Sequence, residues 1–324
     1  MAWMTRVFVY EYLSGGGDGA ADGTGELLAM GQAMRDAMAA DLLALKNYHV
    51  TVATCKLAAP PAPGARPATP QDGEPAPDFV RRQADRHDLA WVLAPESEGL
   101  LAALHPCVEA SRWLGCELPA IELATGKRRT LLALAAAGIA TPLDFEHAPG
   151  VERWVVKPDD GAGAIATRVH RHRSSALEDL ASRDGPPAVL EPWVEGEPLS
   201  LSLMCGARRC ELLSINRQQL HIDGHGWLSF RGVQVDAIPL ADPRARPLAA
   251  LAARVHQAIA GLRGFVGIDL VWHPRRGPVV IELNPRVTCA YVGLSRALGR
   301  NLAGELVEGR RGETAFDGLA HGHA

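Results

Sequence analysis

The chain carries no excess of charge of one sign. Its 33 lysines and arginines stand against 37 aspartates and glutamates, a formal net of -4 at pH 7. Composition therefore offers neither a basic stripe for nucleic acid nor a polybasic run for anionic lipid. Long hydrophobic runs are missing too. LLALAAAGIA, 131–140, is among the longest, well short of the ~18 apolar residues a membrane span requires. The opening MAWMTRVFVYEY meets Glu11 too early to hold the apolar core of a signal peptide. The six cysteines, at 55, 107, 116, 205, 210 and 289, form no CxxC and no dense framework. In a chain of this size they read as reduced thiols of a cytoplasmic protein. Small molecules are thus the expected partners, with no nucleic acid and no membrane, and homodimerisation is left open.

What is present is enough apolar residue, 47 % of 324, for two or three domains with their own cores. Strand-like RVFVYEYL (6–13) runs into the glycine loop SGGGDG (14–19), and a helix follows over about 25–46, its Leu27, Met30, Met34, Met38, Leu42 and Leu45 at three- and four-residue steps. HVTVATCK (49–56) is the next strand. Then APPAPGARPATPQDGEPAPD (59–78) brings seven prolines and reads as an exposed loop that is neither helix nor strand. FVRRQADRH is helical, LAWVLAP (89–95) a strand, and ESEGLLAALHPCVEASRWL begins another helix. This alternation predicts a parallel sheet with helices on both faces, ending near residue 115. A helix over 127–139 leads to the strands WVVKPDDGAGA and AVLEPWVEGE. From Ser200 the pattern turns antiparallel: SLSLMCG, CELLSINRQQLHI and LSFRGVQVDAI, a helix near 245–262, then GFVGIDLVWH and GPVVIELN. No internal repeat is visible.

The strongest chemical signal lies in the last two strands. Asp269 sits inside apolar GIDLVW, and Glu282 lies on the next strand beyond the short turn HPRRGP. Antiparallel neighbours bring such carboxylates together, and Asn284, two residues on, shares the face of Glu282. Three hard oxygen donors without His or Cys favour Mg²⁺ or Mn²⁺, held together with substrate phosphates. The alternative, carboxylates paired with arginines on a solvated face, fits the apolar flanks poorly. A second signal is Lys157 followed by Gly161-Ala162-Gly163, whose backbone N–H groups can fold over phosphate oxygens. It is not a Walker motif, because the lysine precedes the glycines. Lys127 at a helix start offers a second cation, although a surface lysine there is as natural. In VLEPWVEGE, the backbone of Glu191 to Val194, with Trp193 between, offers an edge for adenine, and Glu197 a ribose contact.

Taken in chain order, Lys127, Lys157 with its glycine loop, Glu191–Val194, Asp269 and Glu282-x-Asn284 resemble the ATP-grasp superfamily from about Leu118 onward. The resemblance implies a two-lobed α+β fold over residues 116–187 and 188–324, preceded by a Rossmann-like parallel α/β domain over 1–115. It implies ATP between the lobes, with Lys127 and Lys157 on the nucleotide and two metal ions on Asp269, Glu282 and Asn284. EYLSGGG, APESEG (94–99), SINRQ (214–218) and ELNPRVTCAYVGLSRA (282–297) are further similar to the tyramine–glutamate ligases of methanofuran biosynthesis. That similarity implies ATP-dependent activation of a glutamate γ-carboxylate and its capture by tyramine, a step serving one-carbon metabolism. A ligase for another amino acid and amine, or a non-catalytic ATP-binding module, remain alternatives; the latter has no need of two metal positions.

Two departures from the superfamily pattern bear on the site. Gly267 stands where many such ligases have arginine, so Arg286 or Arg217, with Asn216 beside it, is expected to stabilise the transferring phosphoryl group. Pro198 stands where the ribose glutamate usually falls, which leaves Glu197 one residue away. For the acceptor, the first domain is expected to contribute Ser14, Gly15, Gly16 and Glu96, joined by Thr288 and Tyr291 near the end of the chain.

Overall fold

Val7, Phe8, Val9 and Tyr10 are all fully buried, on both faces of the strand they form. Only a central strand covered on two sides needs that, and β1 (Thr5–Glu11) is one. The protein is described here by a computed structural model covering residues 4–18, 25–161 and 163–320. By its contacts the chain divides into two units: 1–95 with 100–115 and 286–324, and 96–99 with 116–285.

In the first unit, α1 (Gly25–Leu43), β2 (Tyr48–Ala53), β3 (Arg66–Ala68), α2 (Ala76–Ala84), β4 (Leu89–Leu93) and α3 (Leu100–Leu104) follow β1. The sheet order is β3-β2-β1-β4, every pairing parallel. Helix α1 buries Met34, Met38, Ala39 and Leu42 and packs on β1 and β2, as its three- and four-residue spacing predicted. The proline-rich stretch differs from its expectation. Arg66–Ala68 adds to the sheet edge beside Thr51–Ala53, a place where Pro67 is tolerated because an edge strand need not donate on its outer side. Pro75 and Pro77 open α2, where missing N–H groups cost nothing. The helix expected after Glu96 is short, because Glu98 at φ 55° breaks it before α3 and Pro106 interrupts the ladder after it, leaving 3₁₀ turns on either side.

In the second unit, α4 (Leu118–Thr125), α5 (Lys127–Ala136), β5 (Trp154–Pro158), β6 (Arg168–His170), α6 (Arg173–Ser182), β7 (Ala188–Pro192), β8 (Glu197–Cys205), β9 (Cys210–Ile222), β10 (Leu228–Ile238), α7 (Ala245–Ala258), β11 (Gly264–His273) and β12 (Gly277–Asn284) run in order. Two antiparallel sheets result, β6-β5-β7 and β10-β9-β8-β11-β12. In the small sheet Trp154 and Val156 pack with Ala176 of α6, which leaves the alternate face for Val155 and Lys157. In the large sheet α7 buries Leu248, Leu251 and Val255 and packs against β8, β9 and β12.

The chain returns to the first unit with α8 (Leu294–Leu298) and α9 (Leu302–Ala320). What groups this segment there is Asp41 on α1. Its carboxylate accepts from the Tyr291 hydroxyl at 2.6 Å and from the Ser295 hydroxyl, and its carbonyl accepts from Asn301 Nδ2 at 2.7 Å. No helix among the described residues is long and apolar enough to cross a membrane.

Candidate functional site

Alternation in the large sheet sorts side chains by chemistry. Leu199, Leu201 and Leu203 of β8 are buried, and Ser200 and Ser202 alternate with them. On β9, Ser214 and Asn216 stand opposite Ser202 and Ser200. On β11 and β12, Asp269 lies opposite Ser200 and Glu282, and Gly267 opposite Asn284. One face of the sheet is therefore polar from β9 to β12, because residues opposite each other across strands share a face. A bulge after Asp269 skips Ile281 in the register. Such bulges re-aim side chains next to functional sites.

Donors and acceptors on this face are committed to one another. Asn284 Nδ2 donates to Asp269 Oδ2 at 3.2 Å, and Gln218 Nε2 donates to Asp269 Oδ1 at 2.9 Å. Asn216 is fully buried; its amide donates to the Ser202 and Ser200 hydroxyls at 3.0 and 3.3 Å, while its oxygen accepts from Ser214 Oγ and the Asp236 N–H. A saturated amide of this kind fixes the sheet beneath the carboxylates.

Two lysines approach from the other elements of the unit. Lys127 opens α5, whose first N–H groups are met by Asp159: the Lys127 N–H donates to its carbonyl and the Arg128 N–H to its Oδ1, each at 2.8 Å. That pins the helix start to the loop after β5. Lys127 Nζ then donates to the Gly161 carbonyl at 2.8 Å and lies 3.4 Å from Glu282 Oε1. Gly161 and Gly163 both hold positive φ, +104° and +74°, which L side chains rarely adopt. Lys157 pairs with Glu191 Oε2 at 2.8 Å across the small sheet, with both groups buried. Glu191 Oε1 is buried with no hydrogen-bond partner among the described residues. Beyond it the Trp193 N–H donates to the Arg153 carbonyl at 3.0 Å, and the Arg153 guanidinium stacks 5.0 Å over the Trp193 ring. Val194 is buried.

The structure thus brings Asp269, Glu282, Asn284, Lys127 and Gly161 into one contact chain, with the Lys157–Glu191 pair on the small sheet. Glu197 and Arg217 are placed elsewhere. They alternate with Ser200 and Asn216, and Arg217 Nε donates to Glu197 Oε1 at 2.8 Å while Arg244 takes the other oxygen at 2.9 Å. This ion cluster lies on the face opposite Asp269. Arg286 falls in the first unit and donates to the Val287 carbonyl at 3.2 Å. Ala162 lies outside the described residues. Sequence reading missed Gln218, the serine ladder and Asp159. The alternation of SLSL in β8 carried the ladder's signal.

Of the acceptor candidates, Ser14 is fully buried, its N–H donating to Glu11 Oε2 at 2.8 Å. A Cβ on Gly15 would come within 2.6 Å of the Tyr10 ring, so that position demands glycine. Gly16 lines a cavity of about 200 Å³ in the first unit, with Tyr12, Asp18, Glu74, Pro75 and Leu104 among its walls. Tyr291 is buried against Trp91, ring edge to face, with its hydroxyl spent on Asp41. Thr288 accepts the Tyr291 N–H at its carbonyl, and Glu96 is buried in the second unit.

The donor set fits a hard divalent cation: two carboxylates directly opposite one another with an amide beside them. No group of three or more His, Cys, Asp or Glu residues suited to an ion exists among the described residues. Further ligands must come from Asn284, water and substrate phosphate, which is how Mg²⁺ is ordinarily held. The orphaned Glu191 oxygen likewise fits a ligand N–H.

Comparison with known families matches residues 124–290 to the ATP-grasp domain and residues 48–121 to the pre ATP-grasp 3 domain. A search of curated proteins finds no match. Among solved structures, an ATP-grasp superfamily protein from Archaeoglobus fulgidus aligns with TM-score 0.68 at 21 % identity, over 94 % of this chain and 88 % of that one. The D-alanine–D-alanine ligase of Bacillus anthracis, complexed with ATP, aligns with TM-score 0.64 at 14 % identity, over 97 % and 99 %. The L-amino acid ligase of Bacillus licheniformis aligns with TM-score 0.62 at 17 % identity, over 94 % and 73 %.

Proposed function

Because this chain belongs to the ATP-grasp family, we propose that it is an ATP-dependent carboxylate–amine ligase working through an acyl phosphate. The observation that carries the reading is the cross-strand pair Asp269 and Glu282 with Asn284 beside it and Lys127 Nζ 3.4 Å from Glu282. A binding module has no need to hold two opposed carboxylates against a lysine.

In this reading residues 116–187 and 188–285 form the two lobes about ATP and 1–115 the preceding domain; the segment 286–324, expected in the second lobe, groups by its contacts with 1–95 and 100–115 instead. Asp269, Glu282 and Asn284 hold Mg²⁺, or Mn²⁺ in its place, at one or two positions. The bound metal supplies charge neutralisation on the triphosphate. Lys127, which already reaches the Gly161 carbonyl, turns its ammonium to phosphate oxygens, and the backbone at Gly161 and Gly163 lies beside them. Lys157 and Glu191 meet the nucleotide from the small sheet, where the unsatisfied Glu191 oxygen accepts from the base and Val194 lines it. A substrate carboxylate oxygen attacks the γ-phosphorus and ADP leaves; the amine then attacks the acyl carbon and expels phosphate. A guanidinium is needed where charge gathers on the transferring group. Arg286, two residues past Asn284, is the candidate for that role, since Arg217 lies on the sheet face opposite Asp269.

The finer reading is that glutamate and tyramine are the substrates, as in methanofuran biosynthesis, in the cytoplasm. Supporting it, Tyr12, Asp18, Pro75 and Leu104 line the cavity beside Gly16, an acid among aromatic and apolar residues, a lining suited to an aryl-alkyl amine. A different amino acid or amine is the coarser alternative. The test is ADP release by the purified protein with Mg²⁺, ATP and glutamate against a panel of amines. Release dependent on glutamate and on tyramine supports the full reading. Release with another pair keeps the ligase and changes its substrates, and no release with any pair removes the ligase.

A further inference from the structure

The first strand pair of the large sheet ends in two cysteines that face each other. Cys205 closes β8, Cys210 opens β9, and the two are directly paired in the register. Gly206 N–H donates to the Arg209 carbonyl at 2.9 Å, so residues 206 and 209 are the hydrogen-bonded pair at the turn. Pairs alternate along an antiparallel ladder, which makes Cys205 and Cys210 a non-hydrogen-bonded pair with Cα atoms about 4.5 Å apart. A disulfide spans Cα separations of about 4.4–6.8 Å. All six cysteines, this pair included, are thiols in the structure. We propose that Cys205 and Cys210 form a redox-active dithiol, a modification site that peroxide converts to a cross-strand disulfide.

The surroundings divide the labour between the two sulfurs. Cys210 is half-buried and meets solvent, whereas Cys205 is buried. A hydrogen bond with the Cys205 side chain holds the Cys210 thiol below its ordinary value. The turn between them carries Arg208 and Arg209, both exposed. The carbonyl of Gly206 is fixed by His256 Nε2 at 2.9 Å and by Arg263 at 3.4 Å, so the turn is anchored to the region of α7. Cys210 is therefore the attacking thiolate and Cys205 the resolving thiol. The thiolate takes one oxygen from hydrogen peroxide, giving a sulfenic acid and, with a proton, one water. The Cys205 sulfur then displaces the hydroxyl as a second water and the S–S bond forms. Two thiols lose two electrons and two protons, and one peroxide becomes two waters.

Cys116, which acts electrostatically on Cys205, is the competing thiol. Its sulfur lies within 3.2 Å of the Arg263 carbonyl and 3.4 Å of the Arg263 N–H, and burial pushes its thiol up to about 12. It is enclosed and protonated, so it does not meet peroxide. Ser200, the β8 residue opposite Asp269, lies five positions up the strand, roughly 17 Å at 3.4 Å per residue. Oxidation is thus expected to leave ATP turnover intact, and the dithiol's behaviour does not depend on the ligase reading.

The test uses the full chain, reduced and then exposed to equimolar hydrogen peroxide, alkylated and digested with trypsin. Cleavage after Arg208 and Arg209 separates the two cysteines, so a disulfide appears as two peptides joined. The expected result is a Cys205–Cys210 link that dithiothreitol removes. Cys205→Ser is expected to stall at a Cys210 sulfenic acid that dimedone traps. Cys210→Ser is expected to form no link and to consume peroxide at least about tenfold more slowly, as loss of the thiolate requires. Complete alkylation of both residues after peroxide, or a Cys116–Cys205 link in their place, would overturn the proposal.

Discussion

Replacing Lys157 with methionine strands a carboxylate inside the small sheet. Lys157 and Glu191 are 6 % and 1 % exposed, their charged atoms 2.8 Å apart, and the second Glu191 oxygen already has no partner among the described residues. Solvent cannot take over from the lysine. Removing one member of a buried pair costs about 3–5 kcal/mol, against at most about 1 kcal/mol for a solvated pair. Since half of the Glu191 carboxylate is unsatisfied from the start, the upper part of that range is expected. The double variant Lys157→Met with Glu191→Leu should recover most of the loss, because an apolar pair of similar volume replaces a buried ion pair at little cost. Urea unfolding measures both, with an unchanged slope showing that only stability moved. Calorimetric titration with ATP and Mg²⁺ then separates structure from function: neither variant should bind as the wild type does. A loss below about 1 kcal/mol for Lys157→Met would refute the burial reasoning, and wild-type ATP affinity in the double variant would refute the nucleotide contact.

Glu282→Ala should keep its fold by circular dichroism and lose turnover at least about a hundredfold, or about 2.7 kcal/mol of barrier; retention of a tenth of the activity at saturating Mg²⁺ would dismiss the metal assignment. Arg286→Lys is expected to lower turnover far more than ATP affinity, since a point charge replaces a planar fork; unchanged steady-state turnover would leave Arg286 as a strand-end anchor. Deleting 60–77 should destabilise the first unit, because it removes the β3 edge strand and the prolines before α2; an unchanged melting temperature would mark the segment as dispensable. Glu11 is buried, and burial raises its carboxyl above the ordinary value, against the hydrogen bonds from Ser14 and Leu13. A raised carboxyl gives stability that is full below the unfolded value and fades as pH climbs through the folded one. Glu11→Gln should therefore gain stability over the wild type as pH rises above 4.5, and a gain independent of pH would speak against it.

The sequence made the large sheet legible almost residue for residue. CELLSINRQQLHI, LSFRGVQVDAI, GFVGIDLVWH and GPVVIELN are β9 to β12 with the bounds their turns suggested, because strand alternation between short turns is local information. Asp269 opposite Glu282 was equally readable from the short turn joining their strands. Three features were not. Helix α6 has little apolar periodicity and buries only Ala176, so its signal lies in tertiary contact. The proline-rich stretch hid an edge strand, since composition reports propensity and not the neighbour that pairs. The ion cluster of Arg217, Glu197 and Arg244 depends on which face β8 turns to the polar side, and that register is fixed only when β8 meets β11.

The decisive measurement follows oxygen. Glutamate labelled with ¹⁸O in its γ-carboxylate is incubated with the purified protein, Mg²⁺, ATP and tyramine, and the released phosphate is analysed by mass spectrometry. Carboxylate attack on the γ-phosphorus, followed by amine capture at carbon, must leave one labelled oxygen in each phosphate, with ADP as the other product. Unlabelled phosphate, or AMP with pyrophosphate, would contradict an acyl-phosphate ligase built on Asp269, Glu282 and Asn284.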